Sequence, residues 1–533
     1  MSRFNVLTLL AVTATFLAAA PAVGQEQPKP DYDAVYVSMK VPEKVVADEV
    51  FHVAITMKNT GTKSWESWPL RLRTIDPQNN MTWGTNYVIV AQGKTVKGGE
   101  EYTFSSSLRA PSEAGKKTFQ WQVCHDGKDF FGQTTPARTI EVTARPAEAA
   151  TAAKPPPERT SDGKRVLSFD DFEYVGSFKP PMTVEKARGA FSEVGLALRK
   201  MPAADRLFVQ YTHPERVLFE VEIPELVKIE GGKHETLKTA EVKKVWGALK
   251  TSGEGEQIAP NGGFLWDEAT RTLYWTWYHG YKTGAAPPVL GVSKLAEDGT
   301  VTTTGPWHVA VKSGLYKGYW GGVLRLPEEF AKKYTDGKTL ALGFGGYYSI
   351  CGSASRGPAL GAIPEPDPKS KDVPVTEMLL GTDKSPAPRD GNYFSANCGF
   401  WNNDPPSRSE GKWTFNDECR AGAFIDAPST RAYVAFVCLG TGRLGYDFGA
   451  ITHAGTSQYW YFYDPAELGD AAKGQKKPME IAPVSMAKVA YPLGGAVTGA
   501  CYDAEKRLLY VCTAGAFASG REVYPIIHAY KVK

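Results

Sequence analysis

Charge of one sign is what this chain most lacks. Its 61 basic and 58 acidic residues leave a formal +3 over 533 positions, and no dense basic stripe runs along it. Both facts argue against nucleic acid as a partner. Beyond the N-terminus no apolar run is long enough to span a bilayer. The seven cysteines never take C-x-x-C spacing, so structural zinc is not expected. The eight histidines, His279, His308, His453 and His528 among them, are nowhere paired at metal-binding spacing. No G-x-S-x-G elbow sits between a strand and a helix pattern. No metal, no cofactor and no catalytic residue is assigned.

Aromatics, glycine and proline are plentiful: 13 Trp, 25 Tyr, 53 Gly and 37 Pro. That mixture favours strands and turns over helices, and the length exceeds a single core, so at least two domains are expected. Residues 1–24 read as a cleaved signal peptide. Arg3 supplies the positive start, Val6 to Ala20 the short apolar run, and Ala22-Val23-Gly24 the small cleavage residues. The run falls short of the ~20 residues a membrane helix needs. The expectation is an exported protein, periplasmic or extracellular, with no membrane span after cleavage. Whether its cysteines pair there is left open by the sequence.

Residues 31–145 carry period-two alternation. Phe51, Val53, Ile55 and Met57 share one face, as do Phe119, Trp121 and Val123, with Gln120, Gln122 and Cys124 on the other. Asn59-Thr60-Gly61-Thr62 and Asp126-Gly127 mark turns. Seven or so such strands predict a β-sandwich. Cys124-His125-Asp126 reads as a strand running into a turn, because adjacent strand residues point to opposite faces and do not converge on one ion. "MKNTGTKSW", "LRAPSEAG" and "FQWQV…DFFG" resemble the four-tryptophan (FW) immunoglobulin-like domain of selective-autophagy cargo receptors, also found in bacterial exported proteins. Trp65 and Trp121 match well and Trp83 loosely, while Ile55 stands where the first family tryptophan would be. The resemblance implies an interaction or accessory module. Residues 146–164, rich in Pro and Ala, read as an extended linker.

Residues 165–533 repeat one grammar: a glycine-led apolar strand ending in Asp, a turn, Arg, then an aromatic strand. Asp267, Arg271 and Tyr274 have the spacing of Asp503, Arg507 and Tyr510. Asp426, Arg431 and Tyr433 differ by one turn residue, and Asp205, Arg206 and Phe208 form a looser copy. The leading glycines are Gly195, Gly263, Gly322, Gly422 and Gly495. A third strand follows each copy. This predicts an all-β protein, an immunoglobulin-like sandwich followed by a β-propeller of five blades, six being the alternative count. "FEYVGSFKPP" is expected to complete the last blade, and residues 363–418 to form a surface loop. "YVGSFKPP", "YWGGVLRLP" and "YWYFYDPAEL" resemble a group of uncharacterised exported propellers, a likeness that implies a fold and no activity.

The repeated Asp267, Asp426 and Asp503 suggest the carboxylates of a polysaccharide-active enzyme, but their place before a turn already explains them. Aromatic, glycine-rich loops give the other signal. Trp277, Tyr278, His279, Tyr319, Trp320 and Tyr347 cluster near strand ends, with Arg356, Arg443 and His453 in neighbouring Gly-rich turns. Rings beside hydrogen-bonding groups suit a carbohydrate or protein ligand of the envelope or exterior; packing between blades is the competing reading. The expected function is a non-catalytic binding or scaffold protein. A glycosidase or lyase, or a purely structural component, is the alternative.

Overall fold

The computed structural model describes residues 29–143 and 163–533 apart from 48–49, 67–68, 92–93, 112, 126–128, 191, 193, 250–260, 279–286, 346–356, 383–384, 389–394, 397–412, 415, 442–443, 448–449, 453–454 and 520–521. The fold is all-β. Its only α-helices among the described residues are α1 (Glu328–Tyr334) and α2 (Pro465–Ala472).

Between Ala34 and Thr143 the strands form three sheets. Ala34–Lys40, Val50–Asn59 and Glu101–Arg109 make one, and Lys44–Val46, Arg138–Thr143 and Gly115–Phe119 a second. The third runs Tyr87–Ile89, Leu70–Thr74, Trp121–His125, Asp129–Phe131. Alternation decides what goes inside: Phe51, Val53, Ile55, Met57, Phe104, Phe119, Trp121 and Val123 fill one core around Trp65 and Trp83. Cys124, expected on the polar face, is fully buried; on that face it stands opposite Arg71 in register. The turn at Gly61 needs glycine because a methyl there would fall 2.6 Å from the carbonyl of Asp31. Asn59 closes it, accepting from the Gly61 N–H and donating to the carbonyls of Lys63 and Val96. The Asp126-Gly127 turn lies outside the described residues.

From residue 165 onward five sheets of four or five strands follow one another, beside a small hairpin, Thr183–Val184 with Ala187–Arg188, and a three-stranded sheet of Ser395–Ala396, Leu444–Asp447 and Ala450–Thr452. Sheet I takes Leu196–Arg199, Arg206–Tyr211, Val217–Glu222 and Val242–Gly247 in order. Sheet II takes Asn261–Asp267, Thr272–Trp277, Pro288–Leu295 and Val301–Ala310, with Asp372–Pro374 added in parallel. Sheet III takes Gly322–Arg325, Leu340–Gly343, Ala359–Ile363 and Thr376–Leu380. Sheet IV takes Glu418–Asp426, Thr430–Thr441, Gly455–Tyr463 and Ser485–Val489, with Arg165–Val166 against its second strand. Sheet V takes Ala496–Asp503, Leu508–Ser519 and Glu522–Val532, and Phe172–Phe178 pairs with the last of these as its fourth strand. Residues 363–418 are therefore not all loop: they supply the fourth strand of sheet III and the parallel addition to sheet II.

Each core is shared by two sheets. Phe208 of sheet I packs with Trp266 and Trp275 of sheet II. Leu290 of sheet II packs with Leu342 and Ala359 of sheet III. Leu360 packs with Tyr433 and Tyr461 of sheet IV, and Phe436 and Trp460 pack with Leu509 and Val511 of sheet V. Tyr510 and Cys512 of sheet V pack with Val209 and Phe219 of sheet I. The first strands touch in the same order, and that of sheet V touches that of sheet I. Cys124, Cys419, Cys438, Cys501 and Cys512 are free thiols; Cys351 and Cys398 lie outside the described residues.

Candidate functional site

Neighbouring first strands run side by side in one sense. The Gly263 N–H donates to the carbonyl of Gly321 at 2.6 Å where the strands of sheets II and III begin. Where they end, Arg325 donates to Asp267 Oδ2 at 2.6 Å. Between sheets V and I, Thr498 Oγ1 bonds Val194 near the start and Lys200 reaches Asp503 at 3.0 Å near the end. In antiparallel sheets so arranged, the links between second and third strands and the crossings to the next sheet emerge at the starting end. Those links and crossings are where the sequence places its aromatic and basic candidates.

Glycine makes the close approach possible at this end. A methyl on Gly322 would lie 1.9 Å from the Phe344 ring, and one on Gly499 would lie 2.2 Å from the carbonyl of Val194. The Phe344 ring is wedged among glycines of three sheets: Gly263, Gly322 and Gly422. Its backbone is left-handed, with φ +87°, a conformation a bulky residue adopts only where its surroundings enforce it. Here two main-chain bonds to Ala359 and the three glycine contacts do so.

Four of the nine candidate residues are described, and all four are buried: Trp277, Tyr278, Tyr319 and Trp320. Trp277 packs against Trp275 with the rings tilted by 38° and their centroids 4.9 Å apart, in the core of sheets I and II. Tyr278, Tyr319 and Trp320 belong to the core of sheets II and III. The Tyr319 hydroxyl donates to Glu377 Oε1 and the carbonyl of Leu379, both at 3.3 Å. Burial, with the Glu377 carboxylate beside it, pushes this phenol well above its usual range. These rings fill the wedges behind the starting end: Trp277 and Tyr278, consecutive at the end of a strand, enter the cores on its two sides, and the 3-10 turn Tyr316–Tyr319 carries Tyr319 and Trp320 into the core of sheets II and III. His279, Tyr347, Arg356, Arg443 and His453 lie outside the described residues.

The repeated aspartates sit at the opposite end and do turn work. Asp267 Oδ1 accepts from the Thr270 N–H at 3.0 Å, and Asp503 Oδ1 from Glu505 and Lys506 at 3.0 and 3.1 Å. Asp426 pairs with Lys164. Arg271 and Arg507 hold φ near +52° and +51°, and their carbonyls accept from Leu295 and Val532 at 3.0 and 2.9 Å. In the copies at Asp267 and Asp503 the repeat therefore encodes one turn, closed by a left-handed residue that ties it to the third strand; Arg431 instead pairs with Asp426 in the ladder. Burial works against the charge of Asp205, but Lys506 and Lys200 outweigh it and hold the carboxyl below its usual range.

Two buried polar clusters carry no motif. Glu220, fully buried in the third strand of sheet I, accepts from Arg199 at 2.6 Å, Trp246 Nε1 at 2.9 Å and Arg206 at 3.2 Å. The Arg199 guanidinium lies over Trp266 of sheet II at 5.3 Å. A carboxylate inside the apolar run "VLFEV" was the signal available in the sequence. In sheet V the imidazole of His528 lies between Ser177 Oγ at 2.8 Å and Thr513 Oγ1 at 3.0 Å. A separate groove of about 630 Å³ opens on the sandwich over the sheet of Ala34–Lys40, Val50–Asn59 and Glu101–Arg109. Met39, Val41, Pro42, His52, Ala54 and Ser105 line it. Among the described residues no cluster of His, Cys, Asp and Glu could hold a metal ion.

Compared with known proteins, residues 38–139 match the family model described as the Ig-like domain from next to BRCA1 gene. No curated protein matches the chain. Among solved structures that match is Spo0M, a sporulation control protein of Bacillus subtilis, at 9% identity and a TM-score of 0.13, over 37% of this chain and 76% of that one. The sandwich segment of this chain is thus Ig-like.

Proposed function

We propose that residues 165–533 form a five-bladed β-propeller and that the protein is an exported, non-catalytic binding or scaffold protein. One observation carries this reading: the first strands of sheets I to V touch in order and the last touches the first. Phe172–Phe178, pairing with Glu522–Val532, fits a ring closed by strands from the two ends of residues 165–533. The recognition surface lies at the starting end, where the second strands of sheets II to IV finish; His279, Tyr347, Arg356, Arg443 and His453, outside the described residues, fall in sequence between those strands and the third. Its ligand is a carbohydrate or protein of the envelope or exterior. The Ig-like domain, of the FW type, serves as interaction or spacer module. Export itself rests on the sequence of residues 1–24, and mass spectrometry of the secreted chain should find Gln25 at its N-terminus.

The test uses the full mature chain on a glycan array and in cross-linking from the exporting cell. Arg356→Ala with Arg443→Ala should remove whatever binding the native chain has and leave its melting temperature unchanged. Retained binding in that variant refutes the site. Turnover of a bound polysaccharide refutes the non-catalytic reading and returns the enzyme alternative.

A further inference from the structure

The fourth strand of sheet V comes from far away in the chain. Ser177 on that strand and His528 on the C-terminal strand are 351 positions apart yet opposite in register. The imidazole is fully buried and both its nitrogens are engaged, one by Ser177 Oγ and one by Thr513 Oγ1. Ser177 Oγ also bonds the Tyr174 hydroxyl at 2.7 Å, which accepts from the Ile229 N–H at 3.4 Å. Tyr491 stacks on the other side of the ring, centroids 5.2 Å apart, its hydroxyl held by Trp460 Nε1 at 2.7 Å.

The groups facing this imidazole are therefore hydroxyls and phenols: Tyr174 and Ser177 from the fourth strand, Thr513 from the second, and Tyr491 from the crossing into the sheet. Burial pushes the Tyr491 phenol up, so in acid that phenol stays neutral. A neutral imidazole donates from one nitrogen and accepts at the other. An imidazolium donates from both, so the hydroxyl that was donating must turn round, and its charge gains no counter-ion from these partners.

We propose that this cluster is an acid-operated latch: uptake of a proton by His528 releases the strand Phe172–Phe178 from Glu522–Val532 while sheets I to IV stay folded. Release is confined because the strand is the outermost of its sheet. Beyond it lie the main-chain bonds of Ser177 to Val227 and of Lys179 to Lys238 and Ala240. Burial lowers the imidazole to about 3 in the closed state, whereas a solvated histidine titrates near 6.5. Between those values each pH unit downward favours the released form about tenfold.

Hydrogen exchange of the full chain, read by peptide mass spectrometry and corrected for intrinsic rates, tests this. Between pH 6.5 and 4.5, exchange in residues 172–178 should accelerate about fiftyfold, while Arg206–Tyr211 and Leu340–Gly343 hold their protection. His528→Gln should abolish the acceleration. Ser177→Ala, which keeps the imidazole, should raise exchange already at pH 7 and keep its acid dependence. Unchanged protection of residues 172–178 in acid, simultaneous loss in every sheet, a persistent acid response in His528→Gln, or a flat profile in Ser177→Ala would each overturn the latch.

Discussion

Replacing Glu220 by Gln is the sharpest test of how sheets I and II are joined. The carboxylate is fully buried and collects three donors, from Arg199, Arg206 and Trp246. Arg199 is itself nearly enclosed, with 8% of its side chain exposed. Glutamine keeps the shape, but it removes the charge and turns an NH2 group toward at least one donor. The guanidinium of Arg199 is then left in a low-dielectric pocket against Trp266 with only Glu268, 3.6 Å away and half-exposed, as counter-charge. Removing one member of such a pair costs about 3–5 kcal/mol. Urea unfolding followed by tryptophan fluorescence should show that loss as a lower midpoint at unchanged slope. The joint replacement Glu220→Leu with Arg199→Leu removes the enclosed pair, leaves Arg206 partly in water, and should recover most of the loss, because an apolar pair of similar volume is often neutral or better. A single-variant loss below about 1 kcal/mol, or a double variant no better than the single, would refute the claim that Glu220 exists to neutralise buried arginine.

Other expectations follow from packing and backbone. Gly322→Ala forces a methyl into the Phe344 ring and should cost about 1–3 kcal/mol by overpacking; a neutral result in thermal unfolding would mean that the ring is free to move. Arg507→Gly relieves a left-handed non-glycine residue and should stabilise by about 0.5–1 kcal/mol, measured by the same unfolding. Trp121→Ala should cost about 3–5 kcal/mol in the sandwich core, and circular dichroism melts should show the loss.

Much of the architecture was legible because it rests on periodicity and turn chemistry. Phe119, Trp121 and Val123 alternate into one core. The Asp-to-Arg spacing marks a turn whose closing residue must be left-handed, at Arg271 and Arg507. Of the leading glycines, Gly195, Gly263, Gly322 and Gly422 mark close approach between sheets. In sheet V that role falls to Gly499, while Gly495 serves a positive-φ turn. The fourth strands were harder to see: "VKKVWG" and "SMAKV" are short, partly exposed edges whose lysines blur the alternation. The burial of Trp277, Tyr278, Tyr319 and Trp320 has a physical reason. A ring at a strand end fills an inter-sheet wedge as readily as it meets a ligand, and the sequence does not say which way the last residue of Thr272–Trp277 turns. Glu220 and His528 escaped because a single polar residue inside an apolar strand declares its partners only in three dimensions.

The pairing of Phe172–Phe178 with Glu522–Val532 has a consequence for biogenesis. As the chain leaves the ribosome, the upstream partner of this pair appears early and must wait, unmatched, until Glu522–Val532 has been made. Sheets I to IV can assemble in order as they emerge, but sheet V cannot, so a chain cut short of Glu522 would leave the edge of Phe172–Phe178 bare and open to pairing with another strand.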